Sequence, residues 1–106
     1  DTGWTTATVN PSITVDEPVM YRVKAGQVFF KGGLSGLPNY DVDDVNEIIN
    51  PLPAEITPTF TKRFLMSTNG DAIQKLIVRS DGKITLTPLS SNNLASSDFE
   101  FSYWID

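Results

Sequence analysis

Apolar and polar residues alternate in several short stretches of this chain, which is the pattern of half-buried β-strands. Two such stretches, residues 19–24 and 27–34, flank the pair Ala25-Gly26. Glycine accepts the positive φ that a tight turn requires, so the sequence predicts a β-hairpin here. Within its second strand Phe29 and Phe30 point to opposite faces, so either both faces are covered or one ring is exposed.

A second group of strands is expected in the C-terminal half of the chain. Residues 60–67, 73–79 and 83–88 have strand character, and each is separated from the next by a tight-turn signal. The first signal is Thr68-Asn69-Gly70-Asp71 and the second is Ser80-Asp81-Gly82-Lys83. These three stretches are therefore expected to form a continuous antiparallel meander.

The two ends of the chain also have strand character. Residues 3–9 are rich in threonine and β-branched side chains, and residues 13–15 fit a short edge strand. In the last stretch the apolar residues alternate with Glu100, Ser102 and Trp104. The residues expected to face the core are Phe99, Phe101, Tyr103 and Ile105. Trp104 is then expected on the outward face or at an interface.

Residues 35–59 are the least regular part of the chain, and their prolines argue against a long helix. Four apolar residues nevertheless have a helical spacing: Val42, Val45, Ile48 and Ile49. We therefore expect one short helical turn near residues 42–49. With about seven or eight strands, the chain is predicted to be all-β, an antiparallel β-sandwich or jelly roll. Residues 1–106 are expected to form this single domain around one core.

Composition narrows the possible chemistry. The chain has 106 residues, a net charge of −5, and neither cysteine nor histidine. Disulfides, Ser-His-Asp and Cys-His catalysis and histidine metal ligands are therefore excluded. An acidic chain repels nucleic acid, and no basic amphipathic or long apolar segment predicts membrane insertion. The few basic residues include Arg63 and Arg79, which are expected to be solvated or paired rather than functional. Because the chain begins at Asp1, it is expected to be a fragment or processed product of a longer chain.

The densest group of oxygen ligands lies in the irregular middle stretch. It comprises Asp41, Asp43, Asp44, Asn46 and Glu47. Oxygen ligands suit calcium, which makes Asp41, Asp43 and Asp44 candidate metal ligands, although their spacing is not that of an EF-hand. A solvated acidic loop is the simpler interpretation, so no cofactor is expected and calcium is the alternative. The same carboxylates could form a general acid/base pair, but small sandwiches seldom have a deep cleft, and an enzyme is not expected.

Aromatic residues at outward or loop positions are the better candidates for a binding site. Flat rings stack on the apolar faces of sugars, while neighbouring Asp and Asn side chains hydrogen-bond the hydroxyl groups. The candidate ligand-binding residues are Trp4, Asn39, Tyr40, Asp41 and Trp104. The alternative is that such rings lie in the core or at a subunit interface, and for Tyr21 and Phe29 this alternative is preferred.

The order of these features resembles a known family. A tryptophan-containing first strand is followed by Tyr-Arg-x-x-x-Gly-x-Val-x-x-x-Gly at residues 21–32 and by Leu52-Pro53 in a proline-rich stretch. The chain then continues through Ser80-Asp81-Gly82-Lys83-Ile84 to an aromatic strand that ends on Ile105-Asp106. This order resembles the C-terminal receptor-binding or accessory domains of tail-fibre and baseplate proteins of long-tailed phages, mainly those that infect Gram-positive bacteria.

The resemblance implies a β-sandwich, commonly trimeric, that binds saccharides without changing them. The chain would then be a non-catalytic host-recognition domain of an extracellular virion. Its partners would be host cell-wall or surface polysaccharide, other tail proteins and two further copies of itself. Two alternatives remain open: a structural virion domain that mediates protein assembly, and a carbohydrate-binding module of a secreted glycan-active protein.

Overall fold

The computed structural model describes residues 3–38, 41–67, 72–90 and 97–105. These residues form eight β-strands and a single 3-10 turn. The strands are β1 (Thr5–Thr6), β2 (Thr14–Lys24), β3 (Gln27–Gly36), β4 (Asn46–Ile49), β5 (Lys62–Ser67), β6 (Ile73–Val78), β7 (Ile84–Pro88) and β8 (Ser97–Trp104). The 3-10 turn, Ala54–Ile56, lies between β4 and β5.

The strands form two four-stranded antiparallel sheets that pack as a β-sandwich. Sheet 1 has the order β1-β2-β3-β8 and sheet 2 has the order β4-β7-β6-β5. The chain crosses from sheet 1 to sheet 2 after β3 and returns after β7, so β8 pairs with β3. The predicted fold class is confirmed, as is the antiparallel meander β5-β6-β7.

The core lies between the sheets and is built from alternate residues of each strand. Val28 and Phe30 of β3 are both 0% exposed, and they pair with Tyr103 and Phe101 of β8. The rings of Phe30 and Phe101 stack with centroids 5.2 Å apart and planes 9° apart. Phe64 of sheet 2 lies 5.1 Å from the Phe101 ring, so this aromatic stack joins the two sheets.

Two of the predicted tight turns are present in the structure. Ala25 and Gly26 have φ values of 52° and 80°, the left-handed pair that a type I′ hairpin turn needs. Gly82, with φ of 89°, closes the turn between β6 and β7. The predicted Asn69-Gly70 turn lies outside the described residues.

The predicted helical turn near residues 42–49 is wrong. Residues 46–49 form β4, which pairs with β7, and the buried Asn46 side chain donates a hydrogen bond to the Leu86 carbonyl at 3.2 Å. Ile48 and Ile49 are buried, whereas Val42 and Val45 are exposed. The four apolar residues therefore share no face. The backbone N–H and C=O groups of residues 46–49 are hydrogen-bonded to a neighbouring strand instead of within a helix.

The first strand is shorter than predicted. Of residues 3–9, only Thr5–Thr6 form a strand, and the Ala7 N–H adds one hydrogen bond to the Val19 carbonyl of β2. Residues 14–15 are the start of the long strand β2 rather than a separate strand. The Asn10 N–H donates to the Ile48 carbonyl at 2.8 Å, so the chain has already crossed towards sheet 2 by this point. Ile105, expected in the core, lies beyond the end of β8 and is 37% exposed. No helix within the described ranges is long and apolar enough to span a lipid bilayer.

The Tyr103 hydroxyl connects β8 to the 3-10 turn. Tyr103 is buried, and its hydroxyl donates a hydrogen bond to the Ile56 carbonyl at 2.8 Å. Burial raises the pKa of this hydroxyl above its ordinary value of 10.0. The side chain therefore stays neutral, and able to donate, over the whole physiological pH range.

We expect Tyr103→Phe to lower the free energy of unfolding by about 1–3 kcal/mol at pH 7, because the Ile56 carbonyl loses its buried partner. The folded state holds the phenolic proton more tightly than the unfolded state does. Above about pH 10 the unfolded wild-type chain loses that proton first, so wild-type stability falls there by up to about 1.4 kcal/mol per pH unit. Urea unfolding from pH 7 to 11 should show the gap between the two proteins narrowing above pH 10. A gap that stays constant would contradict this role.

Candidate functional site

The outer face of sheet 1 carries the residues that alternate with the core residues. Register places Phe29 between Arg22 on β2 and Ser102 on β8, and places Gln27 beside Trp104. All of these side chains point away from sheet 2, because strand residues alternate between the two faces. We use the name tryptophan face for the surface formed by Trp4, Arg22, Gln27, Phe29, Lys31, Ser102 and Trp104.

Trp4 lies at the β1 edge of this face. Thr5 pairs with Tyr21, which places Trp4 level with Arg22. The Lys31 Nζ lies 4.1 Å from the centroid of the indole ring and the Arg22 Cζ lies 5.5 Å from it. Cations over an aromatic face are attracted by its negative quadrupole, so Lys31 and Arg22 hold the Trp4 ring against the sheet.

Trp104 lies at the other edge and is the most open ring of the face. It is 60% exposed, and its neighbour across the β3-β8 ladder is Gln27. The Gln27 Nε2 donates a hydrogen bond to the Ser102 Oγ at 3.0 Å, which fixes both polar side chains beside the ring. Phe29, which is half-buried, is the diagonal neighbour of Trp104, and such neighbours lie about 7–8 Å apart.

The three aromatic side chains form one strip across the sheet. Trp4 just before the first strand, Phe29 on the third and Trp104 on the fourth span three inter-strand spacings, which is about 14 Å. Hydrogen-bonding side chains lie between the rings. A ligand with flat apolar faces and many hydroxyl groups could therefore stack and hydrogen-bond along the whole strip.

A shallow depression continues the tryptophan face beyond Lys31. Its volume is about 560 Å³. It is lined by Glu17, Pro18, Met20, Lys31, Gly32, Asp98, Phe99 and Glu100. Carboxylates accept hydrogen bonds only, so Glu17, Asp98 and Glu100 are suited to hydroxyl donors on a ligand.

The residues that the sequence suggested as a binding site do not all lie together in the structure. Trp4 and Trp104 lie on the same face. Asp41 is exposed on the connection that follows the far end of β3, whereas Trp104 pairs with the first residue of that strand. Asn39 and Tyr40 lie outside the described residues.

The acidic stretch forms a turn at the end of sheet 2. The Asp41 N–H donates to the Asp44 Oδ2 at 3.0 Å, and the Asp43 N–H donates to the Pro88 carbonyl at 2.9 Å. Within the described ranges, no three acidic side chains come close enough together to hold a metal ion. The Asp44 carboxylate instead accepts a backbone hydrogen bond of its own turn, as Asp side chains commonly do.

Arg22 and Lys31 were not among the residues suggested by the sequence, and Phe29 was assigned to the core or a subunit interface, whereas it lies half-buried on the outer face. The alternation of β3 does contain the signal for Phe29, because Phe30 faces the core and Phe29 must then face outwards. Nothing local connects Arg22 or Lys31 with Trp4. Their contact depends on β1 pairing beside β2, which no short motif specifies.

The chain was compared with protein-family models, curated proteins and solved structures. No protein-family model, no curated protein and no solved structure matches the chain. The chain is a β-sandwich whose outer face on sheet 1 carries an aromatic and polar strip.

Proposed function

We propose that the tryptophan face binds a saccharide and that this domain recognises a bacterial host without modifying it, as part of a phage tail tip or baseplate. The observation that carries the proposal is the placement of Trp4, Phe29 and Trp104 on one face of sheet 1. The phage setting, an extracellular virion with cell-wall or surface polysaccharide as receptor, comes from the sequence resemblance described above.

The chemistry of the face fits a neutral ligand that has both apolar faces and hydroxyl groups, such as an oligosaccharide. The exposed Trp104 ring offers a flat apolar surface for the C–H face of a sugar ring. Gln27 and Ser102 offer polar atoms beside it, and the depression adds carboxylates for hydroxyl groups. A single shallow site of this kind binds weakly, and several copies on one particle would raise the overall avidity by orders of magnitude.

We expect Trp104→Ala to weaken saccharide binding by about 10- to 100-fold, the effect of losing about 1.5–3 kcal/mol of ring burial against the ligand. The fold should persist because the side chain is 60% exposed. Isothermal titration calorimetry with purified wall polysaccharide measures the change. The matched control is Leu65→Ala, which removes a 74% exposed apolar side chain from the other sheet.

The receptor class is tested first by co-sedimentation of the wild-type domain with a panel of Gram-positive cells, using wall polysaccharide as competitor. Strain-selective binding that the polysaccharide abolishes supports the proposal. Equal binding by the Trp104 and Leu65 variants would show that the tryptophan face is not the site. Folding of each variant is checked by its melting temperature.

A second candidate function is assembly with another virion protein through sheet 2. The observation that favours it is the exposure of large apolar side chains there. Leu65 is 74% exposed and Ile73 is 49% exposed, and both lie on the paired strands β5 and β6. Under this alternative, Leu65→Lys would abolish assembly, whereas Trp104→Ala would change neither assembly nor adhesion.

A further inference from the structure

A depression on the outer face of sheet 2 brings two arginines together. Its volume is about 210 Å³, and it is lined by Thr61, Arg63, Ile77 and Arg79. Arg63 pairs with Ile77 across the β5-β6 ladder, and Arg79 follows Ile77 by two residues. The two arginines are therefore diagonal neighbours, at a separation of about 7–8 Å that long side chains readily bridge.

The Thr61 hydroxyl lines this depression, and Ser80 is hydrogen-bonded to it. The Thr61 hydroxyl donates to the Ser80 Oγ at 3.5 Å and accepts the Ser80 backbone N–H at 3.2 Å. These two contacts tie the residue before β5 to the turn after β6. Because the Ser80 oxygen is the acceptor in this pair, its own proton remains for another acceptor.

Only one of the two arginines at this depression has an ion-pair partner among the described residues. Arg79 forms an ion pair with Asp81, whose Oδ2 lies 3.0 Å from the Arg79 guanidinium. Arg63 is exposed, and no carboxylate of the described residues lies within ion-pair distance of it. Like charges on adjacent strands repel, so an anion between the two guanidinium groups would remove that repulsion.

We propose that this arginine pair binds a tetrahedral oxyanion of the phosphate class. Guanidinium groups present their donors as a planar fork that matches phosphate oxygens. One guanidinium satisfies a planar carboxylate, whereas two guanidinium groups offer enough donors for the several oxygens of a tetrahedral group. The exposed Arg79–Asp81 pair is weak and can be displaced by such a ligand. The site is on the opposite sheet from the tryptophan face and does not depend on saccharide binding there.

The test is an NMR titration of the ¹⁵N-labelled domain with inorganic phosphate and, separately, with glucose 1-phosphate, at ionic strength held constant with sodium chloride. We expect saturable shifts of the Arg63 and Arg79 side-chain N–H signals and of the Ser80 amide. Stronger binding of glucose 1-phosphate would support the site and assign it to a phosphorylated saccharide. Equal binding would support the site and assign it to the free ion.

Three variants make the test specific. Arg63→Gln should weaken phosphate binding by at least about tenfold, because it removes one of the two guanidinium groups. Asp81→Asn should strengthen it several-fold, because a competing carboxylate is lost and Arg79 is released. Lys24→Gln, which removes an exposed cation from sheet 1, is the matched control and should bind like wild type.

The proposal is overturned if phosphate produces only the unsaturable shifts that chloride produces. It is also overturned if Arg63→Gln and Lys24→Gln bind phosphate equally. Arg63 is exposed, so its substitution should leave the melting temperature unchanged, and the affinities can be compared directly.

Discussion

Replacing Phe30 with alanine is expected to lower the free energy of unfolding by about 3–5 kcal/mol. Phe30 is 0% exposed and contacts three other aromatic rings. Its ring centroid is 5.6 Å from that of Tyr21, 5.2 Å from that of Phe101 and 6.4 Å from that of Tyr103. The change removes these contacts and leaves a cavity that the two sheets cannot close without shifting.

A domain of this size has a total stability of about 5–15 kcal/mol, so the Phe30 variant should be close to unfolding at 37 °C. The matched control is Phe29→Ala, one residue earlier on the same strand and on its outer face. Because Phe29 is only half-buried, its loss should cost less than about 1.5 kcal/mol. Urea unfolding followed by near-UV circular dichroism distinguishes the two. Equal losses of stability would mean that the assignment of the two faces is wrong.

The second large effect is expected at Gly32. A Cβ atom at this position would lie 2.9 Å from the Val19 Cα and 3.2 Å from the Phe99 Cζ. Because the first of these is a backbone atom, the clash can be relieved only if β2 moves away from β3. The pairing of β2 with β3 is irregular between Glu17 and Met20, and Val19 approaches Gly32 within this irregular segment. Glycine is needed here for the close approach of two backbones.

We expect Gly32→Ala to lower the free energy of unfolding by about 1–3 kcal/mol, as overpacking does in other cores. Gly33→Ala is the control, since its Cβ would lie nearest to the Asp98 Oδ1, at 2.6 Å, and that carboxylate can rotate away. Its cost should be below about 1 kcal/mol. Thermal unfolding of both variants measures the difference, and a larger effect at Gly33 would refute the explanation by backbone contact.

Local alternation was sufficient to predict most of the sandwich. In residues 27–32 of β3, in β6 and in β8 one face is buried and the other is not, so period-two patterning is visible in the sequence. β4 was missed because Ile48 and Ile49 are adjacent and both buried, at a point where its pairing with β7 is irregular. Such a segment has no period of two, and its apolar spacing is equally compatible with a helical turn.

The candidate site was predictable only in part. The outward direction of Trp104 follows from the alternation of the last strand. Its common face with Trp4 depends on both β1 and β8 joining the β2-β3 hairpin, and residues about 100 positions apart carry no local signal of that pairing. The expectation that Arg63 and Arg79 are solvated or paired is confirmed, since Arg63 is exposed and Arg79 pairs with Asp81.

The positions of Trp4 and Ile105 have a practical consequence for fusion proteins. Trp4 is level with Arg22, and the Ile105 N–H donates to the Gly26 carbonyl at 2.9 Å, so both ends of the described chain leave sheet 1 beside the β2-β3 turn. A fluorescent protein or affinity tag joined at either end would sit next to the tryptophan face and could shield it from a large polymer. A flexible Gly/Ser spacer of about 20 residues, which spans about 25 Å on average, would hold the tag clear of the face.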